Sequence, residues 1–408
     1  MPLDRITSVL KDHVANLEEM GTAKGAEKVV TKAFPPNGER GPRFHLEGQG
    51  EREFIRMNSN SYLGMSLRPE IMRAEEVGTA KYGAGPGAVR FISGTYDIHI
   101  ELERALAEFH GREAAMIFSS AYATIMGTIS PLVTNETAII SDALNHNCII
   151  NAIRLSRPKE KAVYPHLDLG ALEKSLEEFK GKVQRAVVIT DGIFSMRGDH
   201  APMDEIMALA AKHDDGYPEN VVVVMDDSHG VGSFGNSGRG SEEYTNSPPV
   251  DILVGTLGKA FGVNGGYVSS NAALIRFLRE SAPFYIYSNP ITPGEASASL
   301  ASLRLLDSAE GRALLTHLRA MTKRFDDGLG KLGLETIPGE HPVVPLMVRD
   351  TGKTRALVAH LFENGVLATG LAYPVVPKGD EEIRFQINAD HTAGDIDRVL
   401  DVLGSFRG

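Results

Sequence analysis

The sequence predicts an α/β protein with a mostly parallel central sheet in a large domain and a smaller α+β domain at its C-terminal end. Three features predict it. From Thr137 to Val254, short apolar runs alternate with helical stretches in βαβ fashion, which implies parallel strands with helices on both faces. Two of the runs, 221–225 (VVVVM) and 252–254 (ILV), are continuously apolar, as expected of strands buried on both sides. Chemistry-bearing residues follow those two runs directly: Asp226, Asp227 and His229 after the first, Thr256-Leu257-Gly258-Lys259 after the second. Open α/β sheets place their ligands just past the carboxyl ends of such strands.

The chain has 408 residues, enough for one large domain and a smaller one. A net charge of −11 argues against a polyanion as main partner, so no nucleic acid is expected. A single cysteine, Cys148, rules out an intrachain disulfide and fits a cytoplasmic home. Residues 1–20 are interrupted by Asp4, Arg5, Lys11, Asp12, Glu18 and Glu19, so neither a signal peptide nor a membrane anchor is expected there.

Taken in order, residues 3–20 have the helical apolar spacing Leu3, Ile6, Val9, Leu10, Val14, Leu17. Residues 21–52, rich in Gly, Pro and charge, suggest a surface arm, so the expected division is 1–52 helix and arm, 53–292 large domain, 293–408 connecting helix and small domain. Asn58–Gly64 is turn-rich, and Tyr82–Gly87 is a glycine stretch that suits either a loop or close backbone approach to a ligand. A helix is expected over 100–111 with a glycine stop, and a short strand over 116–119. Ser119-Ser120-Ala121-Tyr122 then opens an apolar helix; free backbone N–H groups there suit either a phosphate or an ordinary cap. Further strands are expected over 137–141, 162–164, 186–190 and 265–269, with helices over 169–179 and 203–212 between them. From Pro293 to about Leu332 the pattern is mainly helical, and strand and helix signals from Val343 to Leu403 make the α+β unit.

Three motif-like stretches fail on context. Gly230–Gly235 matches GxGxxG, but a loop continues where a dinucleotide site needs a helix. Gly258-Lys259 lacks the first glycine and the Ser/Thr of a P-loop. Asp226, Asp227 and His229 could hold a metal, but no second His/Cys cluster accompanies them, and none is expected. The acid, the imidazole and the lysine at neighbouring strand ends suit pyridoxal phosphate instead, which needs a lysine for a Schiff base and an acid to keep its pyridine nitrogen protonated.

Nine segments occur in one order: NSYLG (60–64), GAVRFISGT (87–95), ISDALNHNCIINAIRL (140–155), TDGIFSMRGD (190–199), DDSHGVGSFGNSGRGS (226–241), GTLGKAFG (255–262), YSN (287–289), YPVVPKG (373–379) and EEIRFQINADHT (381–392). On these the chain resembles the α-oxoamine synthases, fold-type-I pyridoxal-phosphate enzymes that join an amino acid to an acyl-CoA. Within the family the pattern is most like that of 2-amino-3-ketobutyrate CoA ligases, the glycine C-acetyltransferases. The resemblance implies that Lys259 forms the internal aldimine, Asp226 pairs with the pyridine nitrogen and His229 bonds the phenolic oxygen. It implies that His146 stacks on the ring and helps stabilise a developing oxyanion, and that Ser195 holds ring substituents. Ser120, Ala121, Tyr122 and Thr256 would hold the phosphate, joined by Ser288 and Asn289 from a partner subunit of a homodimer. Asn60 and Arg384 would hold the substrate carboxylate.

The implied reaction joins glycine to acetyl-CoA with release of CoA. The alternatives are a decarboxylating condensation with a longer acyl-CoA, as in 8-amino-7-oxononanoate synthase or serine palmitoyltransferase, and a threonine aldolase-like lyase. The chain departs from the family at Glu382, where an arginine is usual, at Arg197, where an acid is usual, and at Ala121–Thr124. Val89-Arg90-Phe91 matches the ketobutyrate-ligase pattern and favours glycine.

Overall fold

The computed structural model describes residues 3–20, 22–23, 25–373 and 376–407; Pro374 and Val375 of the YPVVPKG segment lie outside them. A seven-stranded sheet forms the centre, in the order Ala114–Phe118, Gly266–Ser270, Ile252–Thr256, Val221–Asp226, Arg185–Asp191, Thr137–Asp142, Glu160–Tyr164. Five of these strands run parallel, and Gly266–Ser270 is antiparallel to both its neighbours. Each expected strand of this sheet is present, six of them longer by one or two residues and 265–269 shifted by one to Gly266–Ser270.

Side chains alternate across the pleat, so consecutive strand residues enter different cores. Val187, Ile189, Val224, Ile252 and Val254 join one core, beneath Ile125, Ile129, Ile149 and Leu278 of the helices Ala121–Leu132, Asn147–Ser156 and Ala272–Ser281. Val188, Val223, Met225 and Leu253 join the other, beneath Leu102, Leu106, Leu172, Ile206 and Leu300. The uninterrupted apolar runs therefore arise from burial on both faces, at about 1.5–3 kcal/mol for each large side chain.

Residues 25–33 and 35–40 lie exposed, as expected of a surface arm, but the segment also carries strands and its stretch 41–46 is largely buried. Val30–Phe34 and Arg43–Leu46 form an antiparallel pair, and Ile55–Arg56 pairs in parallel with Val366–Leu367. Phe44 and Leu46 are buried, and the Asp395 carboxylate accepts the Gly41 N–H at 2.8 Å and pairs with Arg43. The C-terminal part carries a three-stranded antiparallel sheet, Val343–Met347, Glu382–Gln386 and Thr369–Leu371. The helices Pro293–Leu306 and Ala309–Lys331 lead into it.

Candidate active site

The site lies past the carboxyl ends of the parallel strands. Asp226 ends the strand Val221–Asp226, and Asp191 ends its neighbour Arg185–Asp191 at the paired position. The strand Ile252–Thr256 delivers Lys259 three residues beyond its end, and the turn after Thr137–Asp142 delivers His146. One pocket is lined by Lys259, Asp226, His229, His146, Ser195, Ala121 and Tyr122 together with Cys148, Asp191, Ile193 and Ser228. Seven residues named from the sequence thus share one small space.

Local chemistry fixes each group. His146 is the N-cap of the helix Asn147–Ser156, its Nδ1 accepting the Cys148 N–H at 3.2 Å, and its own N–H donates to Asp191 Oδ2 at 3.1 Å. Asp226 Oδ1 accepts from the Ser228 N–H at 3.1 Å and the Ser228 hydroxyl at 2.5 Å, which leaves Oδ2 turned toward Cys148 Sγ at 3.8 Å. Burial lowers the Lys259 ammonium below its ordinary range, opposed by Asp226 and Asp191. Burial likewise lowers His146, and raises Asp191 beside Asp226. His229 is held well below its ordinary range by burial and by the Lys259 charge, so its ring is neutral.

Sequence reasoning missed Tyr62. Its hydroxyl lies 2.7 Å from His229 Nδ1, and burial raises its pKa, so the phenol keeps its proton and donates it. A neutral His229 that accepts at Nδ1 carries its own proton on Nε2. Tyr62 lies inside the NSYLG segment, but only the fold reveals its partner 167 residues away. Asp191, Cys148 and Ser228 were also missed as lining residues.

The helix Ala121–Leu132 begins beside the pocket. Ser120 caps it, its hydroxyl accepting the Ala123 N–H at 3.1 Å, while among the described residues no acceptor meets the amides of Ala121 and Tyr122. These are the orphan donors of a helix start, where an anion is favoured. Gly266 lets the helix come this close, since a Cβ there would lie 2.5 Å from the Ala121 nitrogen. The Thr256 hydroxyl donates to Gly265 O and accepts from the Gly258 N–H, both at 3.1 Å, so it pins the turn that carries Lys259.

Arg384 approaches from the strand Glu382–Gln386. Its Nη1 donates to Ser195 O at 2.9 Å, and its buried Nε has no hydrogen-bond partner. Its charge bears on Lys259, His229 and Tyr62. Asn60 bonds Gln386 through its side-chain oxygen and lines a neighbouring cavity of about 510 Å³ that also reaches Lys259. Ser288 and Asn289 lie outside both spaces, Asn289 exposed and Ser288 half-buried.

Asp227 faces away from this chemistry. Its carboxylate accepts the Ser241 N–H at 2.7 Å and the Ser241 hydroxyl at 2.6 Å, closing the 228–241 loop that carries the GxGxxG match. Burial pushes its pKa up to about 7. An acid whose folded pKa exceeds its unfolded one binds more protons when folded, so its contribution to stability falls as pH rises from about 4 to 7. Asp227→Asn can accept the N–H and donate to the hydroxyl, and is expected to remove that fall; melting temperatures measured across the window check it.

The two unusual charges also meet. Burial pushes the Glu382 carboxyl up to about 7 against the pull of Arg384 and Arg197, and its Oε1 is buried without a partner. The acid at 382 and the arginine at 197 thus sit within each other's field, with the signs exchanged relative to the family pattern. Arg90 is buried in a double hydrogen bond to Glu103, both at 3.1 Å, and does not line the pocket.

The pattern of the aminotransferase class I and II family matches residues 52–403. The 8-amino-7-oxononanoate synthase of Thermoanaerobacter pseudethanolicus is 39% identical over 94% of this chain and 93% of its own. Other relatives at similar identity carry the same name. The mitochondrial 2-amino-3-ketobutyrate coenzyme A ligase of Bos taurus is 36% identical over 98% of this chain and 91% of its own. A solved SPT (serine palmitoyltransferase) with PLP internal aldimine matches with a TM-score of 0.87 at 26% identity, over 99% of this chain and 97% of that one.

Proposed function

The chain belongs to the aminotransferase class I and II family, among its α-oxoamine synthases, and is a pyridoxal-phosphate-dependent enzyme of acyltransferase type; from that premise we propose that it condenses a small amino acid with an acyl-CoA longer than acetyl. This is the type of reaction named for the 8-amino-7-oxononanoate synthases. The observation that carries it is Lys259, which lines both the Asp226–His146–His229 pocket and the adjoining cavity of about 510 Å³. That cavity sets Val30, Leu46, Val263 and Leu367 among polar residues such as Asn58, Ser59 and Asn60, and has more room than a two-carbon acyl group needs.

The residues fit the cofactor: a carboxylate, a neutral imidazole donor and an amine share one pocket beside a helix start with two unpartnered amides. When bound, pyridoxal phosphate supplies an electron sink for the substrate's Cα bonds. Asp226 would pair with its ring nitrogen, His229 Nε2–H with its phenolic oxygen, and the Ala121 and Tyr122 amides with its phosphate. His146 would cover the ring, with Ser195 at its edge. Lys259 would hold the aldehyde carbon and then act at Nζ as the base for the Cα proton, a task suited to an amine whose pKa is lowered. Arg384, with a free Nε, would grip the substrate carboxylate alongside Asn60. Ser288 and Asn289 would reach the site only from a second copy in a homodimer. An exposed apolar stripe, Ile6, Val9, Leu10 and Val14 on the first helix, suits such a partner.

Glycine with acetyl-CoA is the second reading, supported by the 36% identity to the bovine ligase. Arg90, in the segment that resembles the ketobutyrate ligases, pairs with Glu103 and lines neither space. CoA release by the holoenzyme, measured over a panel of amino acids and acyl-CoAs, decides between them. The first reading expects a higher kcat/KM with a medium or long acyl-CoA than with acetyl-CoA. A preference for glycine and acetyl-CoA, or cleavage of threonine without CoA, contradicts it.

Glu382 gives this reading a pH signature. Glu382 and Arg384 lie two residues apart on one strand and so share a face. Above about pH 7 the Glu382 carboxylate competes for the Arg384 guanidinium. The wild type is expected to lose kcat/KM for the amino acid as pH rises through 7, and Glu382→Gln to lose that inflection.

A further inference from the structure

We propose that His166 is a positioning residue, a charged strap that holds the turn carrying His146 and the loop carrying Ser195 in fixed relation; what the strap serves rests on the roles proposed for those two residues above. His166 follows the strand Glu160–Tyr164 by two residues. In the sheet that strand is separated from Arg185–Asp191 only by Thr137–Asp142. The half-buried His166 ring reaches across the end of the middle strand. Its Nδ1 lies 3.1 Å from Asp142 Oδ1, and its Nε2 lies 3.2 Å from Asp199 Oδ2, beyond the next strand.

A neutral imidazole carries one N–H, so its bare nitrogen would face a carboxylate oxygen with no proton between them. Carboxylates on both ring nitrogens are satisfied together only by the doubly protonated, cationic ring. Burial works against that charge, but the bonds to Asp142 and Asp199 and the fields of both acids outweigh it and raise the His166 pKa to about 9. Arg197 donates from Nε to Asp199 Oδ2 at 2.8 Å, from the same loop. Around these groups stand Glu382, in the field of Arg197 and Asp199, and Tyr164 and Asp191, in the field of Asp142.

Each acid is the root of one arm of the site. Asp142 is buried, and its Oδ1 also accepts the Leu144 N–H at 2.8 Å, in the turn that ends at His146. Its Oδ2 accepts the Leu167 N–H at 2.9 Å, which holds Leu167 at a φ of 59°, a left-handed conformation that leucine rarely takes. On the other side the Asp199 carbonyl accepts the Phe194 N–H at 3.0 Å, and the Phe194 ring meets His166 edge-on with centroids 4.4 Å apart. Ser195 comes next, and its carbonyl receives Arg384 Nη1. One protonated ring thus ties together the segments that place His146, Ser195 and Arg384. The folded chain holds this proton more tightly than the unfolded one. The strap's contribution is therefore complete below about pH 6.5 and is lost as pH rises through about 9.

Three measurements on the holoenzyme test the strap. With isotope-labelled histidine, the ring signal that His166→Gln lacks is expected to titrate near pH 9, and titration near 6.5 overturns the proposal. Hydrogen exchange is expected to rise on the order of tenfold in His166→Gln across both 142–150 and 190–200, with near-ultraviolet circular dichroism unchanged. A rise in one segment alone, or in neither, overturns the coupling. Where His166→Gln fails to fold, the same comparison is made in the wild type between about pH 8 and pH 10, corrected for the intrinsic pH dependence of exchange, with the same outcomes. In steady-state kinetics, kcat/KM for the amino acid is expected to fall about tenfold in His166→Gln, chiefly through KM because the loop places Arg384. The wild type is expected to show a fall near pH 9, separate from the Glu382 inflection near 7, that His166→Gln lacks. A kcat/KM within about twofold of wild type, with the fall near pH 9 retained, overturns the proposal. If the wild type releases CoA with no substrate pair, the function reading fails by itself, and titration and exchange still decide the strap.

Discussion

Lys259→Ala is expected to lower CoA release by at least about 10³-fold while leaving the fold in place. Lys259 is half-buried in the field of Asp226, Asp191 and Arg384, and the lowering of its pKa by desolvation favours the free amine that a proton transfer requires. Its side chain reaches the space it shares with Asp226, His229, His146 and Ser195, and among the described residues no second lysine lines that pocket. On the proposed function, removing it takes away the covalent anchor and the base together. The measurement is single-turnover CoA release beside near-ultraviolet circular dichroism, which should be unchanged. A small primary amine added at millimolar concentration should restore part of the proton-transfer rate, because the vacated space admits one. Full activity in Lys259→Ala would place the base elsewhere.

The second large effect is expected from Asp226→Asn, a loss of about 10²–10³-fold in kcat. The substitution keeps the volume and the bond from the Ser228 N–H, but removes the charge that favours a protonated ring nitrogen. Asp226→Glu should recover only part, since the carboxylate is registered by two bonds to Ser228. The distinguishing readout is the split between the constants: kcat falls, while KM for the amino acid, assigned to Arg384 and Asn60 in the proposed function, moves little. A fall in stability equal to the fall in activity would instead mark Asp226 as structural.

Much of this site was legible from the chain because strand ends are legible. Val221–Met225 has no polar interruption, so the sequence itself marks where the apolar run ends and Asp226 begins, and Ile252–Val254 marks the turn to Lys259 in the same way. What stayed hidden depends on contacts between distant segments. Ile55–Arg56 is too short to show alternation and is a strand only because Val366–Leu367 lies beside it. The helix Pro69–Tyr82 went unread because small residues make its contact: a Cβ on Gly78 would lie 2.4 Å from Ser297 Oγ, so close packing replaces an apolar stripe. Tyr62 looks like part of a turn until His229 is brought to it. Arg90 is the opposite case, a residue prominent in the sequence that in the fold pairs with buried Glu103.

The substrate reading shifted for a related reason. The motifs surround the ring-binding groups, which serve any amino acid and any acyl donor. The residues facing the larger cavity, among them Lys28, Val30, Leu46 and Arg56, come from the segment whose strands the sequence did not reveal.

The central claim is that Lys259 holds the cofactor. Reduction of the holoenzyme with borohydride, digestion and mass mapping measure it without any assumption about substrate. One pyridoxyl group per chain is expected, on the peptide containing Lys259; a modified peptide from another part of the chain, or none at all, contradicts that role for Lys259.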